Sequence, residues 1–263
     1  MTPLLDVQHL TVAFERPGSA LKAVDDLTFS IQPGETLGLV GESGSGKSVT
    51  ALTILRLLQP PGKVTAGRVL FEGRDLLQLP ESEMRSVRGG RISLIFQEPM
   101  TALNPTMRVG DQIGEALTSH GVGKDQARQR VVELLDAVRI PDAARRARDY
   151  PHQLSGGMRQ RVMIAIAVAC RPPLVIADEP TTALDVTIQA QVLEMLGELK
   201  GRFNLALLLI THDFGVIAEM ADRVAVMRGG QLVEQGPVRQ ILRAPAHEYT
   251  QRLLRAVPGM SKR

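Results

Sequence analysis

The feature that most constrains the fold of this chain is a glycine-rich segment, GESGSGKS, at positions 41–48. It matches G-x-x-x-x-G-K-[ST], a pattern whose backbone N–H groups surround phosphate oxygens. The segment follows a short apolar run, TLGLV, and precedes SVTALTILRLL, which has helical character up to QPPG. A strand, a loop and a helix in this order place the loop at a helix N-terminus, where anions are favoured. The segment therefore predicts an α/β nucleotide-binding protein.

Each position of this segment is a candidate for nucleotide binding. Lys47 would reach the β- and γ-phosphates, and the Ser48 hydroxyl would be a ligand of Mg²⁺. The predicted ATP-binding residues of the segment are Gly41, Glu42, Ser43, Gly44, Ser45, Gly46, Lys47 and Ser48.

Strand-like and helical segments alternate in the rest of the chain. LVIAD and LALLLI are continuously apolar, which is typical of strands in a parallel sheet covered on both faces. Between them lies an apolar stripe at helical spacing, which consists of Ile188, Val192, Met195, Leu196 and Leu199. The runs LDVQHLTVAF and LTFSI predict a β-rich start, and VAVMRGGQLVEQG predicts a hairpin. Residues between about 98 and 170 instead have helical patterns and indicate a helical insert.

Composition excludes several classes of protein. No apolar run approaches the roughly 18 residues that a membrane span requires, and no basic leader suggests secretion. A net charge of +3 and 3% aromatic residues without tryptophan give no support to nucleic-acid binding. The one cysteine, Cys170, can form neither an internal disulfide nor a cysteine cage. We expect it to be a small buried hydrophobe.

Two adjacent carboxylates follow the apolar run LVIAD, at Asp178 and Glu179. Ligands of open parallel sheets bind at the carboxyl ends of the strands. An aspartate there holds Mg²⁺, usually through water, and a glutamate accepts a proton from the water that attacks the γ-phosphate. An isolated Asp–Glu pair would simply be solvated. Beside a phosphate loop, we expect Asp178 to belong to a magnesium site and Glu179 to be the general base.

Two further polar residues follow predicted strands. His212 comes after LALLLIT, and Gln97 comes after RISLIF. A lone histidine is usually structural, but its place at the end of a buried strand favours contact between His212 and the γ-phosphate or the attacking water. The same reasoning applies more weakly to Gln97. The remaining histidines are expected to be structural or at the surface and are His9, His120, His152 and His247.

Six segments in this order resemble the nucleotide-binding subunit of an ATP-binding cassette (ABC) transporter: GESGSGKS, FQEP, LSGGMRQR, LVIADEP, TTALD and LLLITHD. The resemblance extends from LTVAF to LVEQG. It implies a P-loop ATPase with a mostly parallel core sheet, an N-terminal antiparallel β subdomain and a helical subdomain. The ABC domain would span residues 1–236, with the helical subdomain inserted at about 98–170 and a short tail at 237–263.

The resemblance also implies roles for single residues. Phe14 would stack on adenine, although tyrosine is commoner there and the alternative is a core position. Gln97 would contact Mg²⁺ and the attacking water, and Asp185 would meet an opposite subunit. The segment LSGGMRQR matches the family's signature except at Met158, where the family usually has glutamine.

In this family two cassettes face each other head to tail, and each ATP lies between the phosphate loop of one and the signature of the other. Ser155, Gly156 and Gly157 would therefore complete the ATP site of a partner cassette. The helix behind them would add donors to the partner's γ-phosphate. ATP would favour the closed dimer, and hydrolysis would release it.

Longer segments, including QEPMTALNPTMRVGDQI and HEYTQRLLRAVP, are similar to the ATPases of oligopeptide and dipeptide importers. This resemblance implies a second ATPase subunit, commonly a different chain, two permease subunits and, indirectly, a substrate-binding protein. The complex would place this chain peripherally on the cytoplasmic side of the inner membrane.

Two alternatives to peptide import stay open. Nickel or metal-chelate importers belong to the same group, and a short tail without cysteines favours them and argues against an iron–sulfur cluster. A soluble ABC ATPase that acts on nucleic acid or the ribosome is the remote alternative. Such proteins carry a long coiled-coil insertion or a second cassette, and neither feature is found in this sequence.

Overall fold

A computed structural model describes residues 2–16, 19–182 and 184–255 of the chain. These residues divide into two units. The first unit lies within 1–84 and 206–263, and the second within 85–205. Among the described residues, no helix is both long enough and apolar enough to cross a lipid bilayer.

The strands are β1 (Leu5–Arg16), β2 (Ser19–Ile31), β3 (Thr36–Val40), β4 (Gly62–Phe71), β5 (Arg74–Asp75), β6 (Ile92–Ile95), β7 (Leu174–Asp178), β8 (Ala206–Thr211), β9 (Arg223–Arg228) and β10 (Gln231–Pro237). The helices are α1 (Lys47–Ile54), α2 (Glu81–Val87), α3 (Pro99–Ala102), α4 (Val109–Thr118), α5 (Lys124–Ala137), α6 (Ala143–Arg146), α7 (Gly156–Val168), α8 (Val186–Phe203), α9 (Phe214–Met220), α10 (Val238–Arg243) and α11 (Glu248–Arg255).

The first unit contains an antiparallel sheet in the order β2-β1-β4-β5. The central strand β1 pairs Leu5 with Ile31 of β2 and with Phe71 of β4. All three side chains are at most 4% exposed, so one face of this sheet is a hydrophobic core. The β-rich start that the sequence predicts is thus an antiparallel subdomain.

The first unit also contains strands in the order β10-β9-β3-β8. β3 runs parallel to β8 and to β9, whereas β9 and β10 form an antiparallel hairpin. Every residue of β3 and of β8 is buried, as continuous apolar runs predict. Gly38 of β3 allows α9 to pack closely, because a Cβ atom there would lie 2.4 Å from Ile217 Cδ1.

In the second unit, β6 and β7 pair in parallel, from Ile92 with Leu174 to Ile95 with Ala177. The helix α7 packs on β6, and α4, α5 and α8 pack against α7. α7 is buried on most sides, with Val162, Ile164, Ala165 and Val168 inaccessible to solvent. The register places the residues after Ile95 and after Ala177 at the same edge of the strand pair. The predicted fold class, an α/β P-loop protein with a mostly parallel core and helical and antiparallel parts, is confirmed.

Three local expectations differ from the structure. The predicted helix SVTALTILRLL ends at Ile54, because Arg56 adopts a left-handed conformation with φ +52°. β2 begins at Ser19 rather than near Leu27, since pairing with β1 extends it through a charged stretch. Cys170 is half-buried rather than buried, and its Sγ donates to the Ala116 carbonyl at 3.5 Å. Burial nevertheless raises the pKa of this thiol.

Candidate functional site

The phosphate loop connects the buried strand β3 to α1. Two of its glycines, Gly41 and Gly46, are required because neighbouring strands leave no room for a side chain. A Cβ atom on Gly41 would lie 2.2 Å from the Met227 carbonyl oxygen of β9. Gly46 has φ +103°, and a Cβ atom there would lie 2.4 Å from the Ala23 carbonyl oxygen of β2. Larger residues would therefore displace the loop from the strands that surround it.

Lys47 is the first residue of α1 and is only 5% exposed. Its ammonium group donates to the carbonyl oxygens of Gly41 at 2.7 Å and Glu42 at 2.9 Å, and to Ser45 Oγ at 3.3 Å. These bonds hold a positive charge inside the loop, next to the N-terminus of α1. The arrangement favours an anion, because the helix dipole and the ammonium group add their potentials.

Four residues of the loop are accessible. Ser48 and the outer turn from Glu42 to Gly44 are exposed. The outer turn is held from outside, since Glu42 N–H donates to the Tyr249 hydroxyl of α11 at 3.1 Å. Sequence reasoning missed Tyr249, because the two residues are 207 positions apart and the contact has no local pattern.

Two more predicted residues lie in the first unit. Val40 pairs with Thr211 in the parallel register of β3 and β8, so the phosphate loop and His212 leave the sheet at the same edge. His212 is exposed. Phe14 lies on β1 opposite Gly62 of β4 and is half-buried. Its ring packs against this glycine, where a Cβ atom would lie 2.9 Å from Phe14 Cε1.

The second unit brings Gln97 and Glu179 together. Gln97 Nε2 donates to Glu179 Oε2 at 3.2 Å, and the Thr182 hydroxyl donates to the same oxygen at 2.8 Å. Glu179 has φ +47°, a left-handed conformation that is unusual for a residue other than glycine or asparagine. The turn that follows is closed by a hydrogen bond from Thr182 N–H to the Glu179 carbonyl at 3.1 Å. The carboxylate is thus fixed in orientation by two donors.

Asp178 is the last residue of β7 and differs from its neighbour in environment. It is 9% exposed, whereas Glu179 is half-buried. This buried aspartate lies at the carboxyl end of a parallel strand, which is where ligands bind in open sheets.

The signature segment forms the N-terminus of α7. Ser155 is the N-cap residue, and its hydroxyl accepts from Met158 N–H at 3.3 Å. Ser155 and Gly156 are exposed, and Gly156 has open space around a Cβ position. Gly157 differs, because a Cβ atom there would lie 2.9 Å from Ile188 Cγ2 of α8.

Asp185 caps the helix α8. Its carboxylate accepts from Ile188 N–H at 2.9 Å, and the side chain is exposed. The residue therefore has an intrachain role that sequence reasoning did not identify. The predicted site residues are divided between the units: the phosphate loop, Phe14 and His212 lie in the first, and Gln97, Asp178, Glu179, Asp185 and the signature lie in the second.

A loop of this sequence and shape, between a buried parallel strand and a helix, defines the P-loop class of nucleotide-binding proteins. The family model for the ABC transporter matches residues 24–182 of the chain. The chain therefore belongs to the ABC transporter family, and it binds and hydrolyses ATP.

Curated relatives are similar over nearly the whole chain. It is 52% identical to a putative peptide import ATP-binding protein of Brucella abortus, over 98% of this chain and 78% of that protein. It is 53% identical to the oligopeptide transport ATP-binding protein OppD of Salmonella typhimurium, over 98% and 77% respectively. It is also 53% identical to the dipeptide transport ATP-binding protein DppD of Bacillus subtilis, over 99% and 78%.

Among solved structures, the chain is similar to the dimeric ATP-binding cassette MJ0796 in a post-hydrolysis state bound to ADP and Pi. The TM-score is 0.80 at 27% sequence identity, and the match covers 89% of this chain and 99% of that one.

Proposed function

We propose that this chain is the ATP-hydrolysing subunit of a peptide importer. The observation that carries the proposal is identity above 50% over 98% or more of the chain to proteins that are named for peptide, oligopeptide or dipeptide transport. The phosphate loop and the Gln97–Glu179 pair would supply the groups that ATP hydrolysis needs. ATP hydrolysis would therefore be coupled to the import of peptides.

ATP binding would begin at the phosphate loop. Lys47, already held inside the loop, would exchange carbonyl partners for the β- and γ-phosphates, and the amides at the start of α1 would donate to the same oxygens. The half-buried ring of Phe14 would stack on adenine, and His212 would contact the γ-phosphate or the attacking water.

The side chains of Ser48, Gln97 and Asp178 each carry an oxygen atom, which is the type of ligand that Mg²⁺ prefers. The exposed hydroxyl of Ser48 and the strand-end carboxylate of Asp178 fit this role by their chemistry. When bound with ATP, Mg²⁺ would neutralise charge on the phosphates. No iron–sulfur cluster is part of the proposal.

Glu179 would act as the general base for the attacking water. Gln97 and Thr182 both donate hydrogen bonds to its Oε2. The carboxylate is therefore already oriented before substrate binds. The left-handed backbone at Glu179 is consistent with a functional position, because local strain persists only where the surroundings enforce it. Gln97 would in addition contact the attacking water.

A second cassette would complete each ATP site. Ser155 and Gly156 are exposed at the N-terminus of α7, where amide donors and the helix dipole favour a phosphate group. Asp185 is exposed as well and would meet the opposite subunit. We propose that the partner is another ABC ATPase chain, and that two permeases, fed by a substrate-binding protein, hold the pair at the cytoplasmic face of the inner membrane.

The proposal can be tested in the assembled transporter. The chain would be coexpressed with the permeases and the second ATPase of its own organism, reconstituted in vesicles, and assayed for ATPase activity with the binding protein. We expect di- or oligopeptides to stimulate hydrolysis and nickel salts or nickel chelates to have no effect. Glu179→Gln is the matched control, since it should abolish stimulation while ATP still binds.

Each outcome has a separate meaning. Stimulation by nickel alone would contradict the peptide cargo but leave the role of the ATPase intact. A transport function would be contradicted if the chain did not copurify with the permeases and if their presence did not change its rate of ATP hydrolysis.

A further inference from the structure

The C-terminal helix α11 contacts the phosphate loop directly. Tyr249 of this helix is 1% exposed, and its hydroxyl accepts the Glu42 N–H at 3.1 Å. Glu42 is the second residue of GESGSGKS and belongs to the exposed outer turn of the loop. A residue near the end of the described chain therefore holds a main-chain donor of the nucleotide-binding segment.

Two cations lie close to the Tyr249 ring. The guanidinium carbon of Arg228 lies 5.1 Å from the ring centroid, and that of Arg252 lies 5.6 Å from it. Both distances are within the range of cation–π attraction. Arg228 ends β9, directly after Met227, whose carbonyl oxygen limits the space at Gly41. The ring is thus packed against the same strand that shapes the loop.

α11 is also anchored at its start. The Glu234 carboxylate of β10 accepts from Ala246 N–H at 2.7 Å and from His247 N–H at 3.1 Å. Burial alone would raise the pKa of Glu234, but nearby hydrogen-bond donors, these two amides among them, outweigh burial and lower that pKa below its ordinary value. Tyr249 N–H then donates to His247 Nδ1 at 3.0 Å. Hydrogen bonds therefore tie the start of α11, which carries Tyr249, to β10.

The loop has a second support on this side. Gly230 N–H, in the turn between β9 and β10, donates to the Ser45 carbonyl at 3.1 Å. The hairpin and α11 consequently hold the loop at two points, Ser45 and Glu42. Fixing these points before nucleotide arrives reduces the entropy that the loop loses on binding.

We propose that Tyr249 is a positioning residue for the phosphate loop: its hydroxyl holds Glu42 so that the inner amides and Lys47 face the phosphates of ATP. This inference rests on the proposed role of the loop in ATP binding. Tyr249 acts through the loop and contacts no reacting atom. The C-terminal helix is on this account part of the nucleotide site.

The test is Tyr249→Phe in the full chain, because phenylalanine keeps the buried ring and removes only the hydroxyl. The chain has two tyrosines, so Tyr150→Phe, in the second unit, is a matched control. Affinity for ATP with Mg²⁺ would be measured by isothermal titration, and stability by thermal unfolding without nucleotide. Loss of one hydrogen bond of ordinary strength predicts about threefold to tenfold weaker binding for Tyr249→Phe. Tyr150→Phe should bind like the parent.

In the assembled ATPase, Tyr249→Phe should raise KM by a similar factor and leave kcat within about twofold, because no interaction specific to the transition state is lost. The inference would be overturned if Tyr249→Phe bound ATP as tightly as the parent chain. It would also be overturned if the weaker binding came with a large drop in melting temperature, since general destabilisation would then explain it. Lys47→Ala separates this failure from that of the proposed function. If Lys47→Ala abolishes binding and Tyr249→Phe does not weaken it, only the role of Tyr249 is wrong; if Lys47→Ala binds normally, the nucleotide site itself is wrong.

Discussion

Two glycines of the phosphate loop form a matched pair for substitution by alanine. Gly44 has φ +79° and Gly46 has φ +103°, so both have backbone conformations that L side chains rarely adopt. A Cβ atom on Gly44 would have nothing within 4 Å, whereas one on Gly46 would lie 2.4 Å from the Ala23 carbonyl oxygen. Gly44→Ala therefore tests conformational cost alone, and Gly46→Ala tests that cost together with a steric clash.

The two costs have different magnitudes. A left-handed conformation costs a residue with a side chain about 1–2 kcal/mol, which corresponds to a loss of affinity of about 5-fold to 30-fold. At Gly46 the contact falls more than 1 Å inside the roughly 3.5 Å optimum. The opposing carbonyl belongs to β2, where the residues on both sides of Ala23, Lys22 and Val24, pair with β1, so we expect the loop to move instead. Relieving an overpacked contact typically costs about 1–3 kcal/mol, which would add a loss of affinity of about 5-fold to 160-fold.

We therefore expect Gly44→Ala to weaken ATP binding by no more than about 30-fold and Gly46→Ala to weaken it by about a further 5-fold or more. Isothermal titration of the isolated chain with ATP and Mg²⁺ measures both losses. Thermal unfolding without nucleotide checks that both variants fold. Equal losses of affinity in the two variants would refute the reasoning, because the clash with Ala23 would then have no consequence for the loop.

Three further predictions concern the second unit. Glu179→Gln should keep ATP binding but lower ATPase turnover by about 10² to 10⁴, and near-normal turnover of the assembled complex would exclude Glu179 as general base. Ser155→Arg should impair hydrolysis in the complex without abolishing ATP binding by the isolated chain; a loss of affinity as steep as that of Lys47→Ala would contradict a role in the partner's site. Gly157→Ala should destabilise the chain by about 1–3 kcal/mol, since its Cβ would lie 2.9 Å from a side chain of α8, while Gly156→Ala should not; equal melting temperatures would contradict this.

The sequence predicts best those elements whose environment is uniform. TLGLV and LVIAD correspond to β3 and β7 from first to last residue, because strands buried on both faces need apolar side chains throughout. The motifs that follow such strands are predictable for the same reason. A strand of known direction fixes the edge at which the next polar residue emerges, as it does for His212.

Elements defined by distant partners are predicted less well. The first half of β2 carries Lys22, Asp25 and Asp26, which give no strand pattern, and only pairing with β1 makes it a strand. Cys170 lies in an apolar run, yet its place at the end of α7 leaves it half-buried. Capping of α8 by Asp185 could have been inferred, because aspartate before a helical stripe is a common N-cap.

The phosphate loop combines both kinds of information. Its own residues explain why it can bind phosphate: glycines permit the turns, and Lys47 supplies the charge. Its shape, however, is limited by carbonyl groups of β2 and β9, and by hydrogen bonds from the β9–β10 turn and to Tyr249. Each of these contacts comes from a segment outside the motif. Substitutions in those segments should therefore change nucleotide affinity in a chain whose GESGSGKS is intact, so the motif is necessary for the site without being sufficient for its geometry.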